Sequence, residues 1–140
     1  MDVACLALPN QVYADMATVL IATMDSLVYD TLSAEIAGEG HTVVWACDGQ
    51  EAVDSTLAAK PDLLFLEEAL PVFSGFEAVA LLRGDPDVPL ALPILLLGDH
   101  AVEPHRFARS GFTAQFPKTH SHFEMRELLA AHLAGGAVVW

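Results

Sequence analysis

Residues 61–83, PDLLFLEEALPVFSGFEAVALLR, contain a complete strand-and-helix unit. The first half is a continuous apolar run that ends on two adjacent acids, Glu67 and Glu68. A short run that is apolar at every position is typical of a strand buried on both faces of a parallel sheet. The second half begins with Ser74 and Glu77, the pattern of a helix capping box. The stretch therefore predicts a buried strand that ends on carboxylates, with a helix shortly after it.

The same unit recurs along the chain. Predicted strands lie at residues 18–22 (TVLIA), 41–46 (HTVVWA), 62–66 (DLLFL), 94–97 (ILLL) and 113–116 (TAQF). Predicted helices lie at residues 25–40, 48–59, 74–83, 102–110 and 121–134. Strands that alternate with helices, with continuously apolar strands in the middle, predict a doubly wound α/β fold. Its five-stranded parallel sheet is expected to be covered by helices on both faces.

The carboxyl ends of the strands form the predicted functional edge of this sheet, because ligands of doubly wound sheets bind in the crevice beyond those ends. Glu67 is expected just past the third strand, with its carboxylate directed into the crevice. Successive side chains of an extended chain point to opposite sides. Glu68 is therefore expected to face away, as a solvated surface acid.

The charge balance excludes several classes of partner. The 140 residues include 19 Asp and Glu and six Lys and Arg, a formal net charge of −13. Such a protein is not expected to bind nucleic acid or an anionic membrane directly. Most of the basic residues follow residue 100. The N-terminus has no basic leader, and no apolar run is long enough to span a membrane, so a cytoplasmic location is expected.

Cysteine and histidine form no recognisable metal motif. Cys5 and Cys47 lack CxxC spacing and are interpreted as buried or inert thiols. His120 and His122 are two residues apart, a spacing that shares a face only in a strand, whereas they fall at a helix start. The histidines are interpreted as exposed and nonligating.

The pattern resembles the receiver domain of bacterial two-component response regulators over residues 19–134. Two segments carry the resemblance. In residues 61–83, a proline follows Glu67 by four residues and Gly-Phe-Glu follows the proline by four. Residues 111–129, GFTAQFPKTHSHFEMRELL, look like the fifth strand and last helix. The resemblance implies the CheY-like, flavodoxin-like fold with strand order 2-1-3-4-5, and a signalling module that is not an enzyme.

The site residues depart from the family pattern. Receivers use an acidic pair after the first strand, a phosphoacceptor Asp after the third, Ser or Thr after the fourth, a switch aromatic in the fifth and Lys after it. The corresponding positions here are, in that order, Thr23 with Met24, Glu67, Gly98, Gln115 and Lys118. Only the lysine keeps its usual identity. The resemblance therefore implies a degenerate site without catalytic residues.

Magnesium binding is expected to be lost, and no cofactor is expected. Mg²⁺ takes oxygen ligands and is held by carboxylates, which Thr23 and Met24 do not supply. Without the cation, phosphoryl transfer to Glu67 is expected to be very slow. Asp99 is expected to add negative charge to the crevice. Asp25 is a weak substitute ligand, because its position before Ser26 is typical of a helix N-cap.

Glu67 and Lys118 are instead expected to form a direct ion pair, since glutamate is one methylene longer than aspartate. Such a pair would lock one conformation, without indicating whether that conformation is the active or the inactive one. The chain is interpreted as an atypical, phosphorylation-independent receiver that acts as a protein-interaction or regulatory module. Two alternatives are a working phosphoacceptor that uses Glu67 with Mg²⁺, and a flavin or nucleotide carrier. The turn ATMDSL lacks the phosphate cradle that a carrier needs.

The predicted partner face comprises the fourth helix, fifth strand and fifth helix. Its residues are Arg106, Phe107, Arg109, Gln115, Met125 and Arg126. Three arginines beside an acidic body favour an acidic protein partner or self-association, because arginine is enriched in interfaces. In the alternative interpretation, Phe107 and Met125 belong to the core and the arginines are solvated.

The predicted organisation is one receiver-like domain at residues 19–134 with short flanking segments. Residues 1–18 are interpreted as an N-terminal extension, with a helix around residues 12–16. Residues 135–140 are interpreted as a C-terminal tail or linker, which either docks as a strand or leads to an effector domain.

Overall fold

The computed structural model describes residues 16–133 and 138–140. Its strands are β1 (Thr18–Ala22), β2 (Thr42–Ala46), β3 (Leu63–Glu67), β4 (Ile94–Leu97) and β5 (Ala114–Phe116). Its helices are α1 (Ser26–Gly38), α2 (Gly49–Ala59), α3 (Gly75–Gly84), α4 (Pro104–Ser110) and α5 (His122–Leu133). Cys5 and the predicted N-terminal helix, apart from its last residue Met16, fall on residues 1–15, outside the described ranges. Within those ranges, no helix combines the length and apolar character needed to cross a membrane.

The strands form one parallel sheet in the order β2-β1-β3-β4-β5, so the predicted doubly wound fold and strand order are confirmed. Strand β3 lies in the middle of the sheet, and all five of its residues are buried. This explains its continuously apolar sequence, because helices cover it on both sides. The carboxyl ends of β1, β3 and β4 consequently lie side by side.

Two cores separate the sheet from its two layers of helices. Along β3, Leu64 and Leu66 pack into the core that also contains residues of α2 and α3. Leu63 and Phe65 pack into the core that contains residues of α1 and α5. This alternation is the period of two that a strand imposes on its side chains.

Polar side chains cap the first turns of several helices. Ser74 and Glu77 form a complete capping box, and so do Ser121 and Glu124. At α2 the box is only half formed. Asp48 accepts from the backbone N–H of Glu51, whereas the Glu51 carboxylate accepts from Cys47.

Arg83 has a structural role that its sequence position does not reveal. Its guanidinium donates to the carbonyls of Gly111 at 2.9 Å and Leu92 at 2.8 Å, and to Leu90 at 3.3 Å. These bonds join the end of α3 to the loop before β4 and to the turn before β5. Burial lowers the pKa of Arg83 below its usual range, but its carbonyl partners still favour the charged form.

Candidate functional site

Glu67 lies at the centre of the carboxyl edge of the sheet. The side chain was predicted just beyond β3, but the structure makes Glu67 the last residue of that strand, paired in register with Leu97 of β4. Pairing with β4 extends β3 by one residue, which periodicity within one strand does not reveal. Only 8% of Glu67 is exposed, so its carboxylate requires partners.

Both carboxylate oxygens of Glu67 have partners. The Thr23 hydroxyl donates to Oε1, and the Lys118 ammonium forms an ion pair with Oε2. The predicted ion pair is therefore confirmed. The hydrogen bond from Thr23 was missed, although the register of β1 against β3 could have indicated it. Ala22 lies opposite Leu66, so the next residues, Thr23 and Glu67, are brought together.

Thr23 also connects the site to the start of α1. Its hydroxyl oxygen accepts from the backbone N–H of Asp25 at 3.0 Å. The Asp25 carboxylate accepts from the N–H groups of Leu27 at 2.9 Å and Val28 at 3.4 Å, so its predicted role as the N-cap is confirmed. Met24 lies between these two polar residues and is 60% exposed.

Gln115 holds the loop after β4. Its side-chain amide donates to the carbonyls of Gly98 at 3.0 Å and His100 at 2.7 Å. A Cβ added to Gly98 would meet no atom within 4 Å. The sequence identified Gln115 only as the replacement of an aromatic residue, whereas its amide ties β5 to the neighbouring loop.

A cavity of about 500 Å³ opens beside the ion pair. Its lining residues are Glu67, Glu68, Ala69, Ser74, Leu96, Leu97, Gly98, Asp99, His100, Gln115 and Lys118. Asp99 accepts from the Thr119 N–H at 3.3 Å and hydroxyl at 3.0 Å. The hydrogen bond from the Thr119 backbone is the main reason that the pKa of Asp99 lies below its usual range. Asp99 therefore brings negative charge to this cavity, as expected.

The comparisons with known proteins agree with this architecture. The chain is 33% identical over 114 residues to the response regulator MprA of Mycobacterium tuberculosis, a match that covers 80% of this chain and 47% of MprA. The chemotaxis protein CheY4 of Vibrio cholerae is 25% identical, with a TM-score of 0.76 over 84% of this chain and 99% of CheY4. No family model matches the chain. The chain belongs to the response-regulator receiver family.

The shared region is the receiver domain, a signalling module of two-component systems. This chain spans about half the length of the curated MprA relatives that it matches. The receiver domain of the sensor histidine kinase PA1611 of Pseudomonas aeruginosa shares the fold, with a TM-score of 0.75 at 21% identity over 84% of this chain and 98% of that domain. That neighbour contains a magnesium ion coordinated in its active-site cleft.

The donor groups at the corresponding edge of this receiver domain do not fit Mg²⁺. At the end of β1 they are a hydroxyl that donates to Glu67, an exposed thioether, and a carboxylate that caps α1. A hard cation requires several oxygen ligands, and a thioether is a poor one. Elsewhere in the described ranges, no three His, Cys, Asp or Glu residues come together as a metal site.

The predicted partner face is wrong in part, because one of its residues lies in the core. Met125 is fully buried in the core beneath α5. Phe107 is partly buried and stacks on Phe112, with 6.2 Å between ring centroids. The interpretation as a core residue is therefore confirmed for Met125, whereas Phe107 is partly buried and packs against the core. Gln115 is half-buried and used by the loop after β4.

The three arginines do not form one surface. The Arg126 guanidinium lies 3.7 Å from the Glu39 carboxylate at the end of α1. Arg106 lies over the ring of Phe76 in α3, 3.8 Å from its centroid, and 3.6 Å from the Glu68 carboxylate. Glu68 is thus exposed as expected, but it takes part in a surface ion pair. Arg109 is exposed on α4.

The histidine prediction is wrong for His120. Its side chain is only 2% exposed, with Nε2 at 2.7 Å from the Glu35 carboxylate and Nδ1 at 2.9 Å from the Pro117 carbonyl. These contacts join α1 to the segment before α5. His122 is 59% exposed and lies 3.6 Å from the same carboxylate. The burial of His120 depends on the packing of α1 against α5, which spacing within one segment does not reveal.

The sequence analysis also made predictions for Cys47 and for the C-terminal tail. Cys47 is a free thiol and is exposed, so the buried alternative is wrong for this residue. The end of the tail contacts its own domain without forming a strand. The Val138 N–H donates to the Asp62 carboxylate at 2.9 Å, and the Trp140 indole donates to the Pro61 carbonyl at 3.1 Å.

Proposed function

We propose that this chain is a phosphorylation-independent receiver that acts as a protein-interaction module in two-component signalling. The observation that supports the proposal is the engagement of both Glu67 carboxylate oxygens, by the Thr23 hydroxyl and the Lys118 ammonium. The lysine and the acid at the phosphoacceptor position are bonded to each other. A phosphoryl group would have to break this buried pair before either residue could act on it.

The electrostatics of the edge favour the same conclusion. Phosphoryl transfer depends on cations that neutralise charge developing on the transferring group. Lys118 is the basic residue beside Glu67, and its charge is used by the ion pair. Asp99 adds an anion to the adjacent cavity. We therefore propose that Mg²⁺ binding and phosphoacceptance have been lost together.

The loop after β4 would also respond differently from that of a working receiver. The hydroxyl position is Gly98, which has no side chain to contact a phosphoryl group. The switch position is Gln115, whose amide already holds the carbonyls of Gly98 and His100. These contacts support a single conformation and remove the usual two-state element that phosphorylation would bias.

If the crevice binds no Mg²⁺ and accepts no phosphoryl group, the function must depend on the surface of the domain. We propose a protein partner that contacts α4, where Arg106 and Arg109 are exposed. This face is smaller than the one predicted from sequence, because Met125 is buried and Arg126 pairs with Glu39. Acidic partners and self-association both stay predictions, as does a cytoplasmic location.

Incubation with acetyl phosphate and Mg²⁺, followed by intact-protein mass spectrometry, tests the proposal. We expect the wild-type chain to show no added phosphoryl group. A matched positive control is the variant Thr23→Asp, Met24→Asp, Glu67→Asp, Gly98→Thr, which restores the oxygen ligands and the hydroxyl. The open space at Gly98 can accept a side chain, so this variant is expected to gain the group.

The two alternative functions predict other observations. A Mg²⁺-dependent mass gain on the wild-type chain, abolished by Glu67→Gln, would establish a working phosphoacceptor and overturn the proposal. A purified protein with flavin absorbance would establish the carrier. Phosphorylation of the reconstructed variant alone would show that the substituted side chains, not the fold, silence the site.

A further inference from the structure

An exposed apolar patch lies at the carboxyl end of the outer strand β2, away from α4. Met24 is 60%, Leu27 74% and Trp45 38% exposed. The Trp45 ring stacks on Tyr29 of α1, with 4.3 Å between centroids and a 10° angle between ring planes. Its indole N–H donates to the Thr23 carbonyl at 2.9 Å, which holds the ring against the turn between β1 and α1. We call Met24, Leu27, Tyr29 and Trp45 the β2-edge patch.

The β2-edge patch is held rigidly. The Trp45 indole has a fixed hydrogen bond, Tyr29 lies on a capped helix, and Asp25 fixes the first turn that carries Leu27. Aromatic anchors whose orientation is fixed in advance lose little conformational entropy on binding. The patch therefore has the aromatic composition and the rigidity of a binding surface, not of a frayed edge.

The elements that carry and flank the patch are rich in acids. Within the described ranges, basic side chains from outside these elements contact only the later acids of α1, with Arg126 beside Glu39 and the two histidines before and in α5 beside Glu35. The first Lys or Arg of the sequence is Lys60, so β1, α1, β2 and α2 contain no permanently cationic side chain. Over residues 16–59 the acidic residues are Asp25, Asp30, Glu35, Glu39, Asp48, Glu51 and Asp54. An apolar centre with a rim of one sign is complementary to an apolar centre with a rim of the opposite sign.

We propose that the β2-edge patch binds a basic amphipathic helix of a protein partner. Apolar side chains at helical spacing would cover Met24, Leu27 and the Trp45 ring, and Lys or Arg on the flanks would face Asp30 of α1 and the acids of α2. A second copy presenting the same patch would bring two acidic rims together, and nucleic acid or an anionic membrane would be repelled. The inference rests on the proposed function as an interaction module, but it concerns a surface other than α4.

Fluorescence of the full chain with Trp140→Phe tests this proposal, because Trp45 is then the remaining tryptophan of two. The probe is a synthetic helical peptide with Leu at i, i+3, i+4 and i+7 and Lys elsewhere. We expect saturable binding that changes Trp45 emission and weakens as salt is added. A peptide of the same composition with the Leu positions scrambled should bind at least about tenfold more weakly.

Matched variants locate the binding site. Met24→Ser with Leu27→Ser should weaken binding about tenfold or more, since it removes two exposed anchors without touching the core. Leu81→Ser with Leu90→Ser removes two apolar side chains that are 47% and 84% exposed elsewhere, and should leave binding unchanged. Equal effects of the two pairs, or equal affinity for the scrambled peptide, would overturn the proposal.

Three further outcomes separate this inference from the proposed function. Concentration-dependent self-association that Met24→Ser and Leu27→Ser abolish, without peptide binding, would assign the β2-edge patch to a second copy and overturn the inference. A chain that stays unmodified by acetyl phosphate but binds no peptide would overturn this inference alone. A chain that accepts a phosphoryl group and also binds the peptide would overturn only the proposed loss of phosphoacceptance.

Discussion

At the scale of single residues, Glu67 determines the character of the site. A carboxylate that is 8% exposed must be compensated, and this one is compensated twice, by the Thr23 hydroxyl and the Lys118 ammonium. The additional methylene relative to aspartate lets the carboxylate contact the lysine directly. Thr23 and Glu67 are thus complementary, because the hydroxyl donates to the carboxylate.

Replacing one partner of this pair should destabilise the fold. We expect Lys118→Met to lower the free energy of unfolding by about 2 kcal/mol, since it leaves a buried carboxylate without its counter-ion. The figure is below that of a fully buried pair because the Lys118 side chain is 35% exposed. Urea denaturation monitored by circular dichroism measures it.

The double variant supplies the control. Lys118→Met with Glu67→Gln should cost less than the sum of the two single changes, because neither charge is then left unpaired. Arg109→Met, on the exposed surface of α4, should change stability by less than about 0.5 kcal/mol. Strict additivity of Lys118→Met and Glu67→Gln would show that the two side chains do not interact in solution.

At the scale of elements, the start of α1 distinguishes a helix cap from a metal ligand. Asp25 accepts from two backbone N–H groups of the first turn. We expect Asp25→Ala to lower the free energy of unfolding by about 1 kcal/mol, whereas Asp25→Asn retains an acceptor and should cost only a few tenths. Thermal and urea unfolding measure both.

The effect of Mg²⁺ on thermal stability also distinguishes a helix cap from a metal ligand at Asp25. If Asp25 only caps α1, millimolar Mg²⁺ should leave the melting temperature of the wild-type chain and of Asp25→Asn equally unchanged. Stabilisation by Mg²⁺ that appears in the wild-type chain and disappears in Asp25→Asn would show that the carboxylate binds the cation.

The last turn of α5 introduces a dependence of stability on pH. Burial lowers the pKa of His132 below its ordinary value of 6.5. The folded state therefore disfavours the imidazolium relative to the unfolded chain. The contribution of this residue to stability is complete above pH 6.5 and is lost as the pH falls from there through the lower folded value.

We expect His132→Gln to reduce the loss of melting temperature between pH 7.5 and pH 5, since glutamine does not titrate. The test compares the melting temperatures of the wild-type chain and the variant at both pH values. His105→Gln, at an exposed position of α4, is the matched control. A pH dependence that His132→Gln leaves unaltered would contradict a role for burial at this position.

At the scale of the whole molecule, the C-terminal residues contact the amino end of β3, opposite the candidate site. Val138 and Trp140 are partly buried against the core that contains residues of α2 and α3. Asp62 joins two distant parts of the chain there, accepting from the N–H groups of Thr18 at 3.0 Å and Val138 at 2.9 Å. Residues 138–140 therefore pack against the folded domain at this end.

Trp140→Ala should lower the free energy of unfolding by about 1 to 2 kcal/mol, less than for a fully buried tryptophan because the ring is only partly covered. It also removes the hydrogen bond to Pro61. The control is Val139→Ala, since Val139 is 87% exposed and should contribute almost nothing. Equal unfolding midpoints for the two variants in urea would show that the indole does not dock in solution.

The sequence by itself was sufficient to predict the fold, the N-caps Asp25 and Ser74, and the ion pair between Glu67 and Lys118. Each follows from a local pattern, such as a continuously apolar strand or a Ser-x-x-Glu box, or from a resemblance carried by consecutive residues. These signals are strong because strand and helix impose fixed periods on neighbouring residues.

Only the tertiary structure revealed the hydrogen bond from Thr23 to Glu67, the amide bonds of Gln115, the burial of His120 against Glu35, and the separation of Arg106 from Arg126. Each of these depends on which segments face each other across the sheet, not on spacing within a segment. The arginines illustrate the reason. Two helices that are close in sequence cover opposite faces of one sheet, so their side chains meet α3 and α1 instead of forming one surface.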